Sequence, residues 1–276
     1  AARLAERGLQ VDGDGERGLA AMAAEASRAI CVREVSAWWP SMCPECLQGA
    51  AQQQLVIIGC GNLKEEPTSP LLEAGAGGLF VDASSMSIRQ ALSGPLVGRH
   101  RRILNRTVTP DLIPELLQQN ARFVRDVSVV QVDIDTIDGP VVMRLLELLD
   151  PTAVVVEVRR VVPFPFRYAF LSTDSRGMSR GGATLAYWLH ELGLRGFELA
   201  RMDEIDAVFV RPAASPRNGG EKAWHLLGVL GCYLKNLLQD VRPADILDVN
   251  AHEAGFHGWM RKPPYEALPE LWSSLV

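Results

Sequence analysis

The chain has 276 residues, of which 47% are hydrophobic and 22% are charged, and its formal net charge at pH 7 is -5. This length and apolar content suffice for one large α/β domain with additions, or for two small domains. The acidic balance gives no general attraction to phosphate backbones, so we expect no nucleic-acid partner.

Apolar runs, cysteines and the first residue bear on the environment of the protein. No run of about 18 apolar residues occurs, so we expect no membrane span. Five cysteines without a framework of paired spacings suit a reducing compartment. Because the chain starts at Ala1 rather than Met, we expect a processed product, located in the cytoplasm or in an organelle after removal of a transit peptide.

The region before the predicted sheet contains a loose arm and a helix. Residues 1–18 are rich in glycine and charge, and apolar residues at helical spacing then predict a helix that Pro40 ends. Cys43 and Cys46 have ligand-like spacing, but no second pair follows them. We therefore interpret them as ordinary thiols, ahead of a redox pair or a zinc site. The predicted division is residues 1–53 for the N-terminal arm and helix, 54–212 for the main domain and 213–276 for a C-terminal helical extension.

A strand, a glycine-containing turn and a second strand open the main domain. The apolar run Leu55–Ile58 predicts a buried strand, and the turn after it consists of Gly59, Cys60, Gly61 and Asn62. Glycines allow a ligand to approach the backbone closely, and a helix beginning just beyond the turn would add free N–H groups.

Asp82 ends the second predicted strand, about 20 residues after Gly61, and Ala83 follows it. An acid at this position can accept hydrogen bonds from the two hydroxyls of a ribose. The third glycine of a dinucleotide fingerprint is absent, so an ordinary strand-to-loop turn remains the alternative. Arg102–Asn105 then predicts an edge strand, and Thr109–Gln118 predicts a helix with Thr109 as its cap.

The segment from Val129 to Pro163 predicts a strand, an acidic turn, a helix and a second strand. Apolar residues at helical spacing lie between two runs rich in β-branched residues, which is typical of a βαβ crossover. Ligands of such folds gather at the carboxyl ends of the strands. The acids at that edge are Asp133, Asp135, Asp138 and Glu157.

These acids have two alternative interpretations. Asp133, Asp135 and Asp138 could cap the helix that is predicted to begin near Pro140, because carboxylates are favourable at a helix N-terminus. A hard metal ion is the other alternative, but three acids lack a further supplied ligand, and we assign no metal-binding residue.

The rest of the main domain predicts a long loop, a helix and a hairpin. Residues 163–180 are rich in proline, serine and glycine and predict a loop across the ligand edge. A helix is predicted over Gly182–Leu192, and two short strands, Phe197–Met202 and Ala207–Arg211, predict an antiparallel hairpin.

From about Leu55 to Pro212 the chain resembles the FkbM-like group of S-adenosylmethionine-dependent methyltransferases. The matching pieces are IIGCGN, LFVDAS, VVQVDIDTIDG with DPTAVVVEV, and the segment that begins GGATLAYW and ends in the hairpin. The resemblance implies an α/β fold with a Rossmann-like class I methyltransferase sheet, mostly parallel with a terminal antiparallel hairpin.

The same resemblance implies roles for individual residues. Gly59 and Gly61 would approach the methionine part of S-adenosylmethionine, Asp82 would bind its ribose, and Asp133 and Asp135 would line the methyl-transfer pocket. The implied cofactor-binding set is Gly59, Cys60, Gly61, Asn62, Asp82, Ala83 and Asp133, and the implied catalytic pair is Asp135 and Asp138, either of which could act as the base.

The predicted function is S-adenosylmethionine-dependent O-methylation of a small molecule or a glycan. The alternative is a catalytically weak or inactive methyltransferase-like subunit that acts as a scaffold in a larger, organellar complex. Its protein partners would bind the C-terminal region, through the amphipathic segment Ala223–Leu238 and the aromatic residues Trp259, Tyr265 and Trp272.

Overall fold

The structure is a computed structural model, and it describes residue 39 and residues 49–64, 66–94, 100–159, 167–171, 181–203 and 205–211. Several predictions lie outside these residues. They are the N-terminal arm and most of its helix, the cysteine pair Cys43 and Cys46, most of the loop 163–180, and the C-terminal segment with its proposed partner surface.

In the described part of the chain, seven strands form one sheet in the order β3-β2-β1-β4-β5-β7-β6. Strands β1 to β5 are parallel, and β7 runs antiparallel between β5 and β6. The strands are β1 (Gln54–Ile58), β2 (Gly77–Asp82), β3 (Arg101–Asn105), β4 (Val127–Val132), β5 (Ala153–Glu157), β6 (Glu198–Met202) and β7 (Asp206–Val210). This order confirms the predicted fold class, a mostly parallel Rossmann-like sheet that ends in an antiparallel hairpin.

Helices cover both faces of the sheet. They are α1 (Ser69–Glu73), α2 (Ser85–Ser93), α3 (Ile113–Gln119), α4 (Asp138–Leu146) and α5 (Leu185–Gly193), with short 3-10 turns at Ala50–Gln52, Pro110–Leu112 and Ala121–Phe123. Alternate residues of β1 enter two separate cores, as a strand buried on both faces requires. Val56 and Ile58 pack on the side of α3, α4 and α5, whereas Leu55 and Ile57 pack on the side of α1 and α2.

Three predicted helix starts differ from the structure. The helix expected just beyond Asn62 begins only at Ser69, as α1. Thr109 precedes a 3-10 turn and makes no side-chain capping hydrogen bond, and α-helix begins at Ile113. The helix predicted from Gly182 begins at Leu185, where Thr184 is the cap and its Oγ1 accepts the N–H of Tyr187 at 3.3 Å.

The register of the strands places several polar residues at one edge. Ile58 pairs with Val81 and Val132, so the residues that follow β1, β2 and β4 meet at the carboxyl edge of the sheet. Glu157 at the end of β5 pairs with Asp206 at the start of the antiparallel β7. Within the described ranges, no helix combines the length and apolarity that crossing a bilayer requires.

Candidate functional site

The turn after β1 is hydrogen-bonded to the end of β2. The backbone N–H groups of Gly59 and Cys60 donate to the carbonyl oxygen of Val81, at 2.8 Å and 3.2 Å. The N–H of Gly61 donates to Oδ2 of Asp82 at 2.9 Å. The predicted glycine turn and the predicted ribose-binding acid are therefore in direct contact.

Asp82 is partly exposed, and both of its carboxylate oxygens have backbone partners. Oδ1 accepts the N–H of Ser84 at 2.6 Å, while Oδ2 accepts the N–H of Gly61. A carboxylate oxygen accepts two hydrogen bonds, so each can still receive a ligand hydroxyl. Ala83 lies exposed beside Asp82, and its carbonyl oxygen accepts the side-chain amide of Asn105 at 3.0 Å.

Gly59 is a packing position rather than an open surface. It has φ of 81°, and a Cβ built on it would overlap the carbonyl oxygen of Asp133. A glycine is required here both by the left-handed backbone and by the close approach of β4. The side of Gly59 that faces β4 is therefore filled, and a ligand can reach this part of the turn only from the opposite side.

Cys60 and Asn62, which also belong to the turn, differ in burial. Cys60 is fully buried in the core beside α1 and α2, and burial, followed by the negative charges of Asp82 and Glu66, raises the pKa of its thiol to about 12. Its side chain is thus a neutral packing group. Asn62 is partly exposed, and its Oδ1 accepts the N–H of Lys64 at 2.9 Å, which fixes the end of the turn.

An acidic cluster lies where β4 and β5 end. Carboxylate oxygens of Asp133, Asp135 and Glu157 lie within 4.8 Å of one another. Burial, then the charge of Asp135, raises the pKa of Asp133 to about 6. Burial, then the charge of Asp133, raises the pKa of Glu157 to about 8, and protonated Glu157 donates a hydrogen bond to Asp133. At neutral pH this pair shares one proton, which relieves the repulsion between two partly buried carboxylates.

The same three side chains offer the oxygen ligands that hard cations prefer. The metal alternative considered from the sequence grouped Asp133 and Asp135 with Asp138. In the structure Glu157, and not Asp138, completes the group of three. The acidic cluster by itself does not define a metal site, because a shared proton resolves the same excess of negative charge.

Asp138 has a different environment from the other acids. It is fully buried at the first residue of α4, and its Oδ1 accepts the N–H of Ile134 at 2.8 Å. Burial, as the largest cause, raises the pKa of its carboxyl. The carboxyl therefore closes the turn between β4 and α4. The residue at the cap position of α4 is Ile137, which makes no side-chain capping hydrogen bond, so the expected capping of this helix by Asp138 is not what the structure shows.

The turn between β4 and α4 is packed against the segment before α5. Asp135 has a left-handed φ of 59°, which Asp tolerates better than most residues. A Cβ on Gly181 would overlap the carbonyl oxygen of Asp135, and the N–H of Gly182 donates to the carbonyl oxygen of Thr136 at 2.6 Å. Asp135 is itself exposed, so its side chain is held at the rim of the acidic cluster by a constrained backbone.

Two acids near the edge were missed from the sequence. Asp206 pairs with Glu157 across β5 and β7, and burial, then the charge of Asp203, raises its pKa to about 8. The start of the second hairpin strand was a usable signal for this residue. Glu66 lies against Gly61 and near α1, and no sequence pattern marks it.

Comparison with known proteins gives similarity at the level of solved structures. No protein-family model and no curated protein matches the chain. A magnesium protoporphyrin IX methyltransferase from Synechocystis PCC 6803 with bound SAH shares 17% identity at a TM-score of 0.37, over 74% of this chain and 89% of that one. A SAM-dependent methyltransferase from Geobacter sulfurreducens, in complex with S-adenosyl-L-homocysteine, shares 18% identity at a TM-score of 0.34. The match covers 79% of this chain and 86% of that one.

A third structure of this kind is a SAM-dependent methyltransferase from Thiobacillus denitrificans, also in complex with S-adenosyl-L-homocysteine. It shares 14% identity at a TM-score of 0.32, over 79% of this chain and 86% of that one. At such identities and scores the similarity assigns neither a family nor an activity. The argument for function therefore rests on the geometry of the carboxyl edge.

Proposed function

We propose that this chain is an S-adenosylmethionine-dependent methyltransferase that methylates a hydroxyl group of a small molecule or a glycan. The proposal depends on one observation above all, the hydrogen bond from Gly61 N–H to Asp82 Oδ2 at 2.9 Å. It joins a glycine turn after β1 to an acid after β2, at the edge where parallel α/β sheets bind nucleotides.

The residues of this edge fit the parts of the cofactor. Asp82 is partly exposed and keeps acceptor capacity on both oxygens, which suits a ribose diol. Gly61 has no side chain of its own, and the carboxylate of Glu66 lies beside it, so the methionine part of the cofactor would lie next to the turn backbone and this carboxylate. S-adenosylmethionine, when bound, supplies a methyl group on a positively charged sulfur.

The acidic cluster fits the acceptor side of the reaction. A hydroxyl attacks a methyl group more readily when a nearby base takes its proton. Asp133 has a pKa of about 6 because of burial and the charge of Asp135, so it is ionised at neutral pH and near the optimum for a base. Asp135 is the exposed alternative base, and Asp138 holds the turn that carries it.

Calorimetric titration of the full chain with S-adenosylhomocysteine tests the proposal. We expect a dissociation constant well below 1 mM, and a constant weaker than about 1 mM, roughly 4 kcal/mol of binding, would contradict it. NAD and ATP serve as competitors in the same titration, because a Rossmann-like sheet also binds those nucleotides. Tighter binding of NAD or ATP than of S-adenosylhomocysteine would assign the edge to another reaction.

A second experiment tests the chemistry of transfer. Candidate acceptors with hydroxyl groups are incubated with S-adenosylmethionine that carries a labelled methyl group, and the product is treated with mild base. A methyl ether survives this treatment, whereas a methyl ester is hydrolysed. Transfer to an amine or a carboxylate, rather than to a hydroxyl, would refute O-methylation and leave the cofactor assignment intact.

A further inference from the structure

Glu66 reaches back from the segment before α1 to the turn after β1. A Cβ on Gly61 would lie 2.5 Å from Oε1 of Glu66, so the carboxylate occupies the space that any other residue at position 61 would fill. Gly61 has φ of 45°, and its N–H is turned to Asp82. Two carboxylates therefore flank one glycine.

A buried network holds the Glu66 carboxylate in this position. The side-chain amide of Gln131, near the carboxyl end of β4, donates to Oε2 of Glu66. Oε1 of Gln131 accepts the hydroxyl of Thr68 at 2.7 Å, and both Gln131 and Thr68 are at most 1% exposed. The N–H of Ser69 donates to the carbonyl oxygen of Glu66 at 2.9 Å, which also fixes the backbone.

This network carries a desolvation penalty, because burying amide and hydroxyl groups in the centre of an apolar sheet disfavours folding. Gln131 lies between Val130 and Val132, which are fully buried, and a valine at position 131 would avoid that penalty. The glutamine orients the Glu66 carboxylate toward the glycine turn, while Glu66 itself stays partly exposed. A ligand at the turn can therefore reach this carboxylate.

The charge of Glu66 acts on both sides of the turn. It contributes to the raised pKa of Cys60 in the turn and to that of Asp206 at the acidic cluster. The carboxylate thus adds negative potential where a ligand beside Gly61 would lie. A hydroxyl group would suit Asp82, but a held carboxylate beside the turn is better matched by a cation, since charge-assisted hydrogen bonds are the stronger ones.

We propose that Glu66 binds the α-ammonium group of the methionine part of the cofactor, with Gln131 as the residue that positions its carboxylate. This inference rests on the proposed function, because it names the partner of one residue in the same cofactor site. It assigns the two carboxylates that flank Gly61 to the two ends of one ligand, Asp82 to the ribose and Glu66 to the amino group.

The test compares two ligands that differ only in that amino group. S-adenosylhomocysteine and its deaminated analogue, in which hydrogen replaces the α-amino group, are titrated into the full chain and into Glu66→Gln. This substitution keeps the shape of the side chain and removes its charge. We expect Glu66→Gln to bind S-adenosylhomocysteine about 10- to 100-fold more weakly, and to bind the deaminated analogue as the unchanged protein does.

Each other outcome overturns the inference. An equal loss for both ligands would mean that Glu66 only braces the turn, and an unchanged affinity would mean that it makes no ligand contact. Tighter binding of S-adenosylhomocysteine to Glu66→Gln would mean that the carboxylate obstructs the site. Glu73→Gln, an exposed acid at the end of α1, is the matched control and should change neither affinity.

Two readouts keep this inference separable from the proposed function. If the unchanged protein binds S-adenosylhomocysteine but does not distinguish it from the deaminated analogue, the Glu66 assignment fails and the methyltransferase proposal stands. This comparison needs no variant, so it also decides the matter if Glu66→Gln does not fold. If the unchanged protein binds neither ligand, both proposals fail.

Discussion

Gly61 and Asp82 are separated by 21 residues in sequence and joined by a hydrogen bond of 2.9 Å between the backbone N–H and Oδ2. The contact ties the ends of β1 and β2 together at the carboxyl edge of the sheet. Because the second oxygen of Asp82 accepts the N–H of Ser84, the same carboxylate also fixes the entry to α2. One side chain thus organises the turn, and under the proposed function it also binds the ribose of the cofactor.

Replacing Asp82 should affect both stability and binding. Asp82→Ala leaves the N–H groups of Gly61 and Ser84 without their acceptor, which should lower the free energy of unfolding by about 1–3 kcal/mol in urea titrations. Under the proposed function, affinity for S-adenosylhomocysteine should fall by about 10-fold or more. Asp111→Ala, in an exposed 3-10 turn, is the control and should change neither. Unchanged affinity in Asp82→Ala would show the ribose assignment to be wrong.

The close packing of Gly59 against β4 predicts a severe effect for the smallest possible side chain. Gly59→Ala puts a methyl group onto the carbonyl oxygen of Asp133 and holds alanine at φ of 81°. We expect a loss of about 3 kcal/mol or more, measured by chemical unfolding. Gly193→Ala is the matched control, because nothing lies within 4 Å of a Cβ there. If Gly59→Ala is as stable as Gly193→Ala, the turn does not pack as described.

The polar network inside β4 makes a prediction about coupling. Gln131→Leu removes the acceptor of the Thr68 hydroxyl and the donor to Glu66, and it should destabilise the protein by about 1–3 kcal/mol. Adding Thr68→Val removes the stranded hydroxyl, so the double variant should be less destabilised than the sum of the two single variants. Urea unfolding of the four proteins measures this difference. Strict additivity would mean that Thr68 and Gln131 do not interact.

Much of the fold could be predicted because strands buried on both faces leave a clear apolar pattern. The runs at Leu55–Ile58 and around Val154 gave strands within one or two residues of their observed bounds. The start of α1 could not be found in this way. Residues 66–68 are held by distant partners, namely Gln131 and the Trp39 indole, which donates to the carbonyl oxygen of Pro67 at 2.8 Å. Such contacts leave no local periodicity.

Some residues of the candidate site could likewise be predicted from the strand pattern, whereas others depend on distant contacts. Asp82, Asp133 and Glu157 could be placed at one edge because each ends a strand, and parallel strands share their carboxyl edge. Glu66 is held beside Gly61 by a hydrogen bond from the side chain of Gln131, which is distant in sequence, so its position could not be predicted from spacing. The burial of Asp138 likewise depends on how its carboxyl folds back onto Ile134.

Partly buried carboxyl groups at the end of β5 and the start of β7 predict that stability falls as pH rises. Burial and neighbouring charges raise the pKa of Glu157 from 4.5 to about 8 and that of Asp206 from 3.8 to about 8. The folded state keeps protons that the unfolded chain releases, so the stabilisation present below about pH 4 is lost as pH rises toward about 8. Scanning calorimetry should show a decreasing melting temperature between about pH 5 and 8. In Glu157→Gln the side chain at position 157 is uncharged over this whole pH range, so the decrease in melting temperature should be smaller. Glu73→Gln, at an exposed position, should leave the decrease unchanged. A melting temperature that rises across this range, or an unaltered slope in Glu157→Gln, would contradict the shared-proton arrangement of Asp133 and Glu157.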